Sequence, residues 1–248
     1  STLNVSSVSV SGTGYSRTSA ITSIAAGASQ TFTVTLSGSS AGTFTGTVTI
    51  ASNDADENPF TFPVTGTITA PEINVYNGAN DGFPAILDAQ AALVSVGSTT
   101  LGNNIVRTFT IKNSGTSTLT ISSISVSGTD YSVNSSISSI NAGSTATFTI
   151  TLSAAVSGSF DALVTIVSDD TDENPFTFSV TGGVAEPEIE VYVGTDNSGT
   201  IITDEQVSAV DIGSAVQGNN ITQTFAIENS GTSVLNVSSI TVSGAAFS

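Results

Sequence analysis

The chain reads STLTISSISVSGTDYS from Ser117 to Ser132, and this stretch decides the fold because it recurs. The matching stretches are STLNVSSVSVSGTGYS at residues 1–16 and SVLNVSSITVSGAAFS at residues 233–248. Both lie 116 residues away, since 117 − 1 and 233 − 117 give the same difference. Self-similarity at a fixed period indicates a tandem array of similar structural units.

The remainder of the sequence keeps this period without a gap. An acidic turn, DADENPF at residues 54–60, returns as DTDENPF at residues 170–176, and Pro-Glu-Ile occurs at both Pro71 and Pro187. A short Pro-containing stretch between two β segments is typical of a linker. We therefore expect three units, which are the C-terminal part of a repeat at 1–70, a complete repeat at 71–186, and the N-terminal part of the next at 187–248. This division predicts a section of a longer array, and a circularly permuted two-domain protein is the alternative.

Hydrophobic and polar residues alternate with a period of two inside the complete unit, which predicts β-strands. The alternating segments lie near residues 73–76, 109–111, 119–126, 131–137, 147–152, 164–166 and 176–180. About seven short strands separated by Gly-, Asn- and Ser-rich turns predict an all-β fold of tandem immunoglobulin-like (Ig-like) antiparallel β-sandwiches. Residues 77–104 show few strand signals, and we expect them to form a decorated loop between the first two strands.

The composition excludes several functional classes. There are 20 acidic residues against 3 basic ones, a net charge of −17, and no His or Cys. Nucleic-acid binding is therefore not expected, nor is a Cys/His metal site or a His-dependent catalytic triad. No apolar run approaches the roughly 20 residues of a transmembrane helix, so no membrane insertion is expected in this segment. A Cys-free, Lys-poor, acidic β protein is typical of the bacterial cell surface, and we expect an extracellular location.

The acidic turn is the one polar cluster that indicates ligand chemistry. Each copy places three carboxylates within four residues, and calcium binds six to eight such hard oxygens. The turn precedes the last strand, so we expect it to lie at the N-terminal pole of the unit and to face the linker at residues 67–72. The alternative is a solvated turn whose Asp and Asn side chains cap the backbone. The candidate calcium ligands are Asp54, Asp56, Glu57, Asp170, Asp172 and Glu173. No other cofactor is expected.

The polar residues allow two further interpretations, an enzyme and a ligand-binding ladder. A glycosidase needs two carboxylates across a cleft, usually with aromatic side chains, but the chain is 6% aromatic and lacks Trp. We therefore predict that the protein is not an enzyme. Rows of threonine such as Thr147-Phe-Thr-Ile-Thr151 fit a ladder that binds carbohydrate or ordered water, and they also fit the solvated face of an ordinary strand.

Three runs together resemble a known family. They are TFTIKNSGTSTLTI at 108–121, AGSTATFTI at 142–150 and SDDTDENPFTF at 168–178. In this order they resemble the bacterial choice-of-anchor D repeats, relatives of the ASPM–SPD-2–Hydin Ig-like domains. The resemblance implies tandem modules of large secreted or surface-anchored bacterial proteins, often with adhesive roles. The long segment after Pro-Glu-Ile departs from the usual short form of the family.

These observations predict a structural function: a stalk or filament section of a secreted or surface adhesin-type protein. The expected partners are other copies of the same repeat, within the chain or in a filament, and a surface glycan or a host or substratum ligand. The alternatives are a carbohydrate- or ice-binding repeat module and a spacer of a secreted enzyme.

Overall fold

The computed structural model describes residues 1–18 and 20–244. Residue 19 of the first predicted unit and residues 245–248 of the third lie outside this description. We call residues 1–70 the head segment, residues 71–186 the central module and residues 187–244 the tail segment. The strands of the head segment are β1 (Leu3–Ser11), β2 (Tyr15–Thr18), β3 (Ser23–Ile24), β4 (Thr33–Leu36), β5 (Gly42–Ser52) and β6 (Phe60–Ile68).

The central module contains ten strands, more than the seven that alternation predicts. They are β7 (Ile73–Tyr76), β8 (Ala85–Ile86), β9 (Gln90–Thr100), β10 (Ile105–Asn113), β11 (Leu119–Val126), β12 (Tyr131–Asn134), β13 (Ser139–Ile140), β14 (Thr145–Leu152), β15 (Gly158–Ser168) and β16 (Phe176–Ala185). The tail segment contains β17 (Ile189–Val193), β18 (Thr200–Ile202) and β19 (Phe225–Asn229). No helix long and apolar enough to span a bilayer occurs among the residues described.

The central module is a sandwich of two five-stranded sheets, ordered β12-β14-β10-β7-β8 and β13-β11-β15-β16-β9. One face of each strand carries Val, Ile, Leu or Phe, and these side chains fill the space between the sheets. Phe109 lies at the centre, fully buried, with its ring 5.4 Å from Phe148 in its own sheet and 5.5 Å from Phe178 in the opposite sheet. The predicted Ig-like β-sandwich is therefore confirmed for this unit.

The prediction of a loop at residues 77–104 is wrong in part, because this segment contains β8 and the eleven-residue strand β9. β9 leaves the sheet of β7 and β8 and joins the other sheet, where it pairs in parallel with the last strand, β16. Val94 and Val96 face the core and are 6% and 4% exposed, which explains why this segment becomes a strand. The sandwich thus contains one parallel pair among its antiparallel ones.

The head and tail segments form separate sheets. In the head, β3-β1-β5-β6 make one sheet and β2-β4 a second, and its small core is centred on Val5, Val8 and Val48. The tail forms one sheet ordered β18-β17-β19. Within the described residues no sheet crosses Pro71 or Pro187. The division into units at residues 1–70, 71–186 and 187–248 itself stays a prediction.

Candidate functional site at the junction between modules

The turn Asn113-Ser-Gly-Thr116 binds the linker that enters the central module. Asn113 is fully buried, and its amide group donates hydrogen bonds to the carbonyl oxygens of Ser117, at 2.7 Å, and Ile140, at 2.9 Å. Its Oδ1 accepts from the backbone N–H of Glu72 at 3.2 Å and of Gly115 at 3.0 Å. One side chain therefore satisfies four buried or half-buried backbone groups and ties the linker to the sandwich.

The last two residues of the turn, Gly115 and Thr116, also contact the linker. The N–H of Thr116 donates to the carbonyl oxygen of Ala70 at 2.8 Å, and the N–H of Ala70 donates to Thr116 Oγ1 at 3.3 Å. A Cβ atom on Gly115 would lie 2.5 Å from the oxygen of Ala70 and 2.6 Å from the nitrogen of Glu72. Since real Cβ atoms do not approach backbone so closely, this position requires glycine. We call this set of contacts the linker latch.

The same latch recurs 116 residues later. Asn229 Oδ1 accepts from the N–H of Glu188 at 3.2 Å, and the N–H of Thr232 donates to the carbonyl oxygen of Glu186 at 2.8 Å. A Cβ on Gly231 would lie 2.4 Å from the nitrogen of Glu188. The latch is therefore a property of the repeat, and it explains in physical terms why Asn-Ser-Gly-Thr follows each Pro-Glu-Ile linker.

The acidic loop before β16 lies against the same linker, as its position in the topology predicts. Asp170 is 1% exposed, and its Oδ2 accepts a 2.7 Å hydrogen bond from the N–H of Ile73. Glu72, Asp170 and Asp172 each place one carboxylate oxygen within 4.8 Å of the others. Glu173 Oε2 is buried beside them without a hydrogen-bond partner. We call these four residues the acidic junction.

The structure gathers only part of the predicted ligand set. Asp170 and Asp172 come together, whereas in the head segment Asp56 and Glu57 are exposed and Asp54 is half-buried. There the loop is held by its own bonds, such as the 3.4 Å bond from the Asp56 N–H to Asp54 Oδ1. Within the described residues, the one group of three carboxylates close enough to share a cation consists of Glu72, Asp170 and Asp172, three of the four residues of the acidic junction.

Sequence reasoning missed Glu72, which completes the acidic junction from the linker side. Its signal was present, because Pro-Glu-Ile repeats at residues 71 and 187 in register with the acidic turn. The motif was interpreted only as a linker. Whether the acidic junction or its head counterpart binds calcium stays a prediction.

Comparison with known protein families identifies the central module. Residues 85–183 match the model of the HYDIN/CFA65/VesB-like Ig-like domain family. Over these residues the central module is similar to HYDIN-like Ig-like domains. This confirms the resemblance to Hydin-type domains that the three sequence runs indicated. Ig-like families of this type are non-catalytic. No curated protein matches the sequence.

Several solved structures are similar in fold to parts of the chain. A protein of unknown function from Porphyromonas gingivalis W83 is 14% identical over 74% of this chain and 85% of its own, with a TM-score of 0.38. The seventh PapD-like domain of human CEP192, an ASH domain, is 16% identical over 39% of this chain and 84% of its own, with a TM-score of 0.30. A family 123 glycoside hydrolase from Clostridium perfringens is 13% identical over 46% of this chain and 27% of its own, with a TM-score of 0.28.

The carboxylates of the HYDIN-like module lie in an environment that disfavours their charge. Burial, reinforced by Glu72, Asp170, Asp172 and Asp88, raises the pKa of Glu173 from 4.5 to about 6. Burial and the charges of Asp170 and Asp172 also raise the pKa of Glu72. Burial is likewise the main cause that raises the pKa of Asp170, although the N–H of Ile73 opposes it. Clustered oxygen donors with raised pKa values can bind either protons or a hard cation.

Because of the acidic junction, we expect the central module to become more stable as the pH falls. Because the pKa of Glu173 is higher in the folded protein than in the unfolded chain, folding takes up protons as pH falls from about 6 to 4.5. In this window the free energy of unfolding should rise, on the order of 1 kcal/mol after allowance for solvent screening. That corresponds to an increase of roughly 4 °C in melting temperature, measured by calorimetry in the presence of a chelator.

Matched substitutions test the origin of this pH effect. Glu173→Gln should raise the melting temperature at neutral pH and flatten its rise on acidification, because the titrating carboxyl is removed. Glu57→Gln, at the equivalent but exposed position of the head segment, should leave the pH profile unchanged. A profile as steep in Glu173→Gln as in the wild type contradicts the prediction.

Proposed function

We propose that this protein is a load-bearing section of a stalk or filament belonging to a secreted, adhesin-type protein of the bacterial surface. The observation that carries the proposal is the parallel pairing of β9 with β16, the long strand nearest the entry of the chain and the strand at its exit. End-to-end tension enters through β7, which pairs with β10, and once it reaches β9 it pulls β9 and β16 in opposite directions.

The chain enters and leaves the module at opposite poles. The entering linker contacts the loop that precedes β16, through the bond from Ile73 to Asp170. β16 then runs away from that loop and ends at Ala185, whose carbonyl oxygen accepts from the N–H of Leu101 at 2.9 Å. Successive modules connected in this way extend in a line, which is the arrangement a stalk needs.

Tension along that line loads β9 and β16 in shear. Seven residue pairs connect the two strands, from Phe178 opposite Gln90 to Ala185 opposite Thr100. The hydrogen bonds of a parallel pair are evenly spaced along the strands, so sliding one strand past the other strains many of them at once. Opening a pair from one end breaks its bonds one after another and requires less force.

The linker latch and the net charge serve the same function. The latch holds the linker against the Asn-Ser-Gly-Thr turn at both Pro-Glu-Ile points. The net charge of −17 makes neighbouring stalks repel one another and keeps them soluble. We further propose that the partners are other repeats and, at a distance from this section, a surface glycan or a host or substratum ligand.

Single-molecule force spectroscopy on the full chain tests the load-bearing role. Pulled through its ends, the central module should unfold in one step that releases the 113 residues from Ile73 to Ala185, a gain of about 350 Å in length. The protein has no cysteine, so attachment points can be introduced at chosen sites. Pulling through cysteines at positions 71 and 171, both at one pole, should open the module at a clearly lower force. Equal forces in the two geometries would contradict the proposal.

The acidic junction supports a second candidate function, calcium-dependent stiffening of the stalk. We propose that Glu72, Asp170, Asp172 and Glu173 bind one calcium ion and thereby hold the linker to the acidic loop. The supporting observation is the buried, unpartnered Oε2 of Glu173 next to three carboxylate oxygens within 4.8 Å of one another. Calcium prefers such oxygen ligands and completes its shell with water.

A melting experiment at neutral pH tests this candidate. Calcium at about 100 times its dissociation constant should stabilise the module by about 2.7 kcal/mol, and a chelator should reverse the effect. Asp172→Asn should remove most of the stabilisation, whereas Asp56→Asn, its exposed equivalent in the head segment, should retain it. If neither calcium nor the chelator changes the melting temperature of the wild type, the acidic junction is not a calcium site.

A further inference from the structure

A small cavity opens on the central module where β7 ends and β10 continues. β7 pairs with β10 only from Thr110 to Asn113, so β7 leaves the earlier part of this edge of β10 uncovered. The segment that follows β7, at residues 77–84, lies beside the uncovered edge and forms the opposite wall. The cavity measures about 250 Å³ and is lined by Gly78, Ala79, Phe83, Val106, Arg107 and Thr108. It is therefore built wholly within the complete repeat.

Hydrogen bonds hold the segment at residues 77–84 in place. The N–H of Asn77 donates to the carbonyl oxygen of Pro84 at 3.0 Å and closes the segment into a loop. Thr110, which is fully buried, donates through its Oγ1 to the carbonyl oxygen of Gly78 at 2.7 Å and fixes the loop on β10. The walls of the cavity are therefore ordered before any ligand arrives, which favours binding.

Arg107 brings to the cavity a positive charge that no carboxylate of the described residues neutralises. Its Nε donates to Asn77 Oδ1 at 2.8 Å, and its Nη2 donates to the carbonyl oxygen of Asn77 at 3.2 Å. Nη1 has no acceptor among the described residues, and the ion pair of the central module joins Lys112 to Asp81. A half-buried guanidinium with N–H groups to spare is suited to bind a carboxylate.

Phe83 and Val106 give the same cavity an apolar surface. One side of the Phe83 ring rests on Gly78, because a Cβ on that glycine would overlap three atoms of the ring. Phe83 is nevertheless 44% exposed, and Val106 is 59% exposed. Apolar and aromatic surface combined with a few polar groups is the usual composition of a small-ligand site. The cavity therefore suits a ligand with both an apolar face and a negative charge.

Polar side chains continue from the cavity across the outer face of the sheet. Thr108 on β10 lies opposite Thr149 on β14, which lies opposite Asn134 on β12. These side chains point outward, since Phe109 and Phe148, their chain neighbours, face the core. Neighbouring strands are about 4.8 Å apart, so hydroxyl and amide groups follow the cavity at a regular spacing. Such groups can donate to and accept from the hydroxyls of a sugar.

The tail segment indicates that the fold does not require the residues that build the cavity. β17 pairs with β19 in the register in which β7 pairs with β10, one period earlier. The loop after β17 nevertheless lacks the arginine, its asparagine partner and the aromatic ring. Asn77, Phe83 and Arg107 are replaced at the equivalent positions by Val193, Gly199 and Gln223. The three side chains change together while the strand pairing is kept, which points to a role other than folding.

We propose that this cavity binds an acidic sugar, such as a uronic acid unit of a polysaccharide. Arg107 holds the sugar carboxylate, Phe83 and Val106 contact the apolar face of the ring, and Thr108 bonds to its hydroxyls. The cavity is smaller than the roughly 300–1,000 Å³ of sites for drug-sized ligands, so it accepts a single ring. The inference rests neither on the stalk function nor on the calcium site, so its failure would leave both proposals untouched.

Titration of the full chain with galacturonic acid, followed by NMR of the backbone amides at neutral pH and constant ionic strength, tests the inference. The sugar should shift the amide signals of Gly78 and Thr108 until they saturate. Galactose, which carries a CH₂OH group in place of the carboxylate, should bind about tenfold more weakly or worse, the loss expected for a charged hydrogen bond. The absence of a saturable shift with galacturonic acid, or equal binding of the two sugars, would overturn the inference.

Substitutions that introduce the tail's own residues identify the groups responsible. Arg107→Gln should abolish the preference for galacturonic acid over galactose, and Phe83→Gly should weaken the binding of both sugars. The matched control, Lys112→Gln, removes a cation from the same strand that Asp81 already neutralises, and it should bind like the wild type. Unchanged discrimination in Arg107→Gln contradicts the assignment of the carboxylate to that residue. Tighter binding of triglutamate than of galacturonic acid by the wild type would assign the cavity to an acidic peptide and reject the sugar.

Discussion

Replacing Phe109 by alanine lowers the free energy of unfolding of the central module by about 3–5 kcal/mol, the largest effect expected of any single substitution in the core. The ring is fully buried and touches Phe148 in its own sheet and Phe178 in the opposite sheet. Its removal leaves a cavity where the two sheets meet, since the surrounding strands are held by their hydrogen bonds and cannot collapse into it.

Chemical denaturation followed by circular dichroism measures this loss, because the chain has no Trp to report unfolding by fluorescence. The matched control is Leu163→Ala, which truncates a large apolar side chain that is 45% exposed on the same module. It should change stability by no more than about 1 kcal/mol. Similar losses in both variants would show that Phe109 does not hold the two sheets together.

Most strands of the central module could be predicted because their alternation is long and regular. Phe148, Ile150 and Leu152 alternate with threonines, and these positions lie in β14 with the apolar side chains buried. One sheet face is buried and the other is solvated, so burial imposes a period of two on the sequence. The repeat then extends the same interpretation to the head segment without further assumptions.

β9 could not be predicted in the same way. Its alternation is confined to Val94-Ser-Val96, and Leu93 next to it is 49% exposed. Its partner is β16, more than eighty residues later, and the pairing contains two register shifts that interrupt the pattern. A short alternating segment cannot be distinguished from a loop by its neighbouring residues alone when the strand with which it pairs is distant in sequence and parallel.

The position of the candidate site could be predicted from the sequence, but the full set of residues that form it could not. The order of the strands places the acidic loop at the pole where the linker enters, and the bond between Asp170 and Ile73 confirms that position. The contributions of Glu72 and Asn113 depend on the linker folding back over the turn. The spacing of residues in the sequence does not reveal the contact between the linker and the turn, because the two come together only in the folded sandwich.

The linker latch leads to the second large effect: Asn113→Ala should lower the free energy of unfolding of the central module by about 3 kcal/mol and loosen its entering linker. The substitution leaves two backbone N–H groups, of Glu72 and Gly115, and two carbonyl oxygens, of Ser117 and Ile140, without their partner. Each orphaned buried group costs about 1–3 kcal/mol, and those nearest the surface recover part of this by binding water.

Two measurements separate the loss of stability from the loosening of the linker. Denaturation gives the free energy, and hydrogen exchange at the Glu72 amide reports the linker directly, because that N–H donates to Asn113 Oδ1. The control is Asn74→Ala, which removes an exposed 2.8 Å bond to Ser114 Oγ on the same side of the module. It should cost less than about 1 kcal/mol and leave the Glu72 amide protected. Faster exchange in Asn113→Ala alone identifies the buried amide as the group that fixes each linker to its module, whereas unchanged exchange would assign that role to Thr116 and the acidic junction.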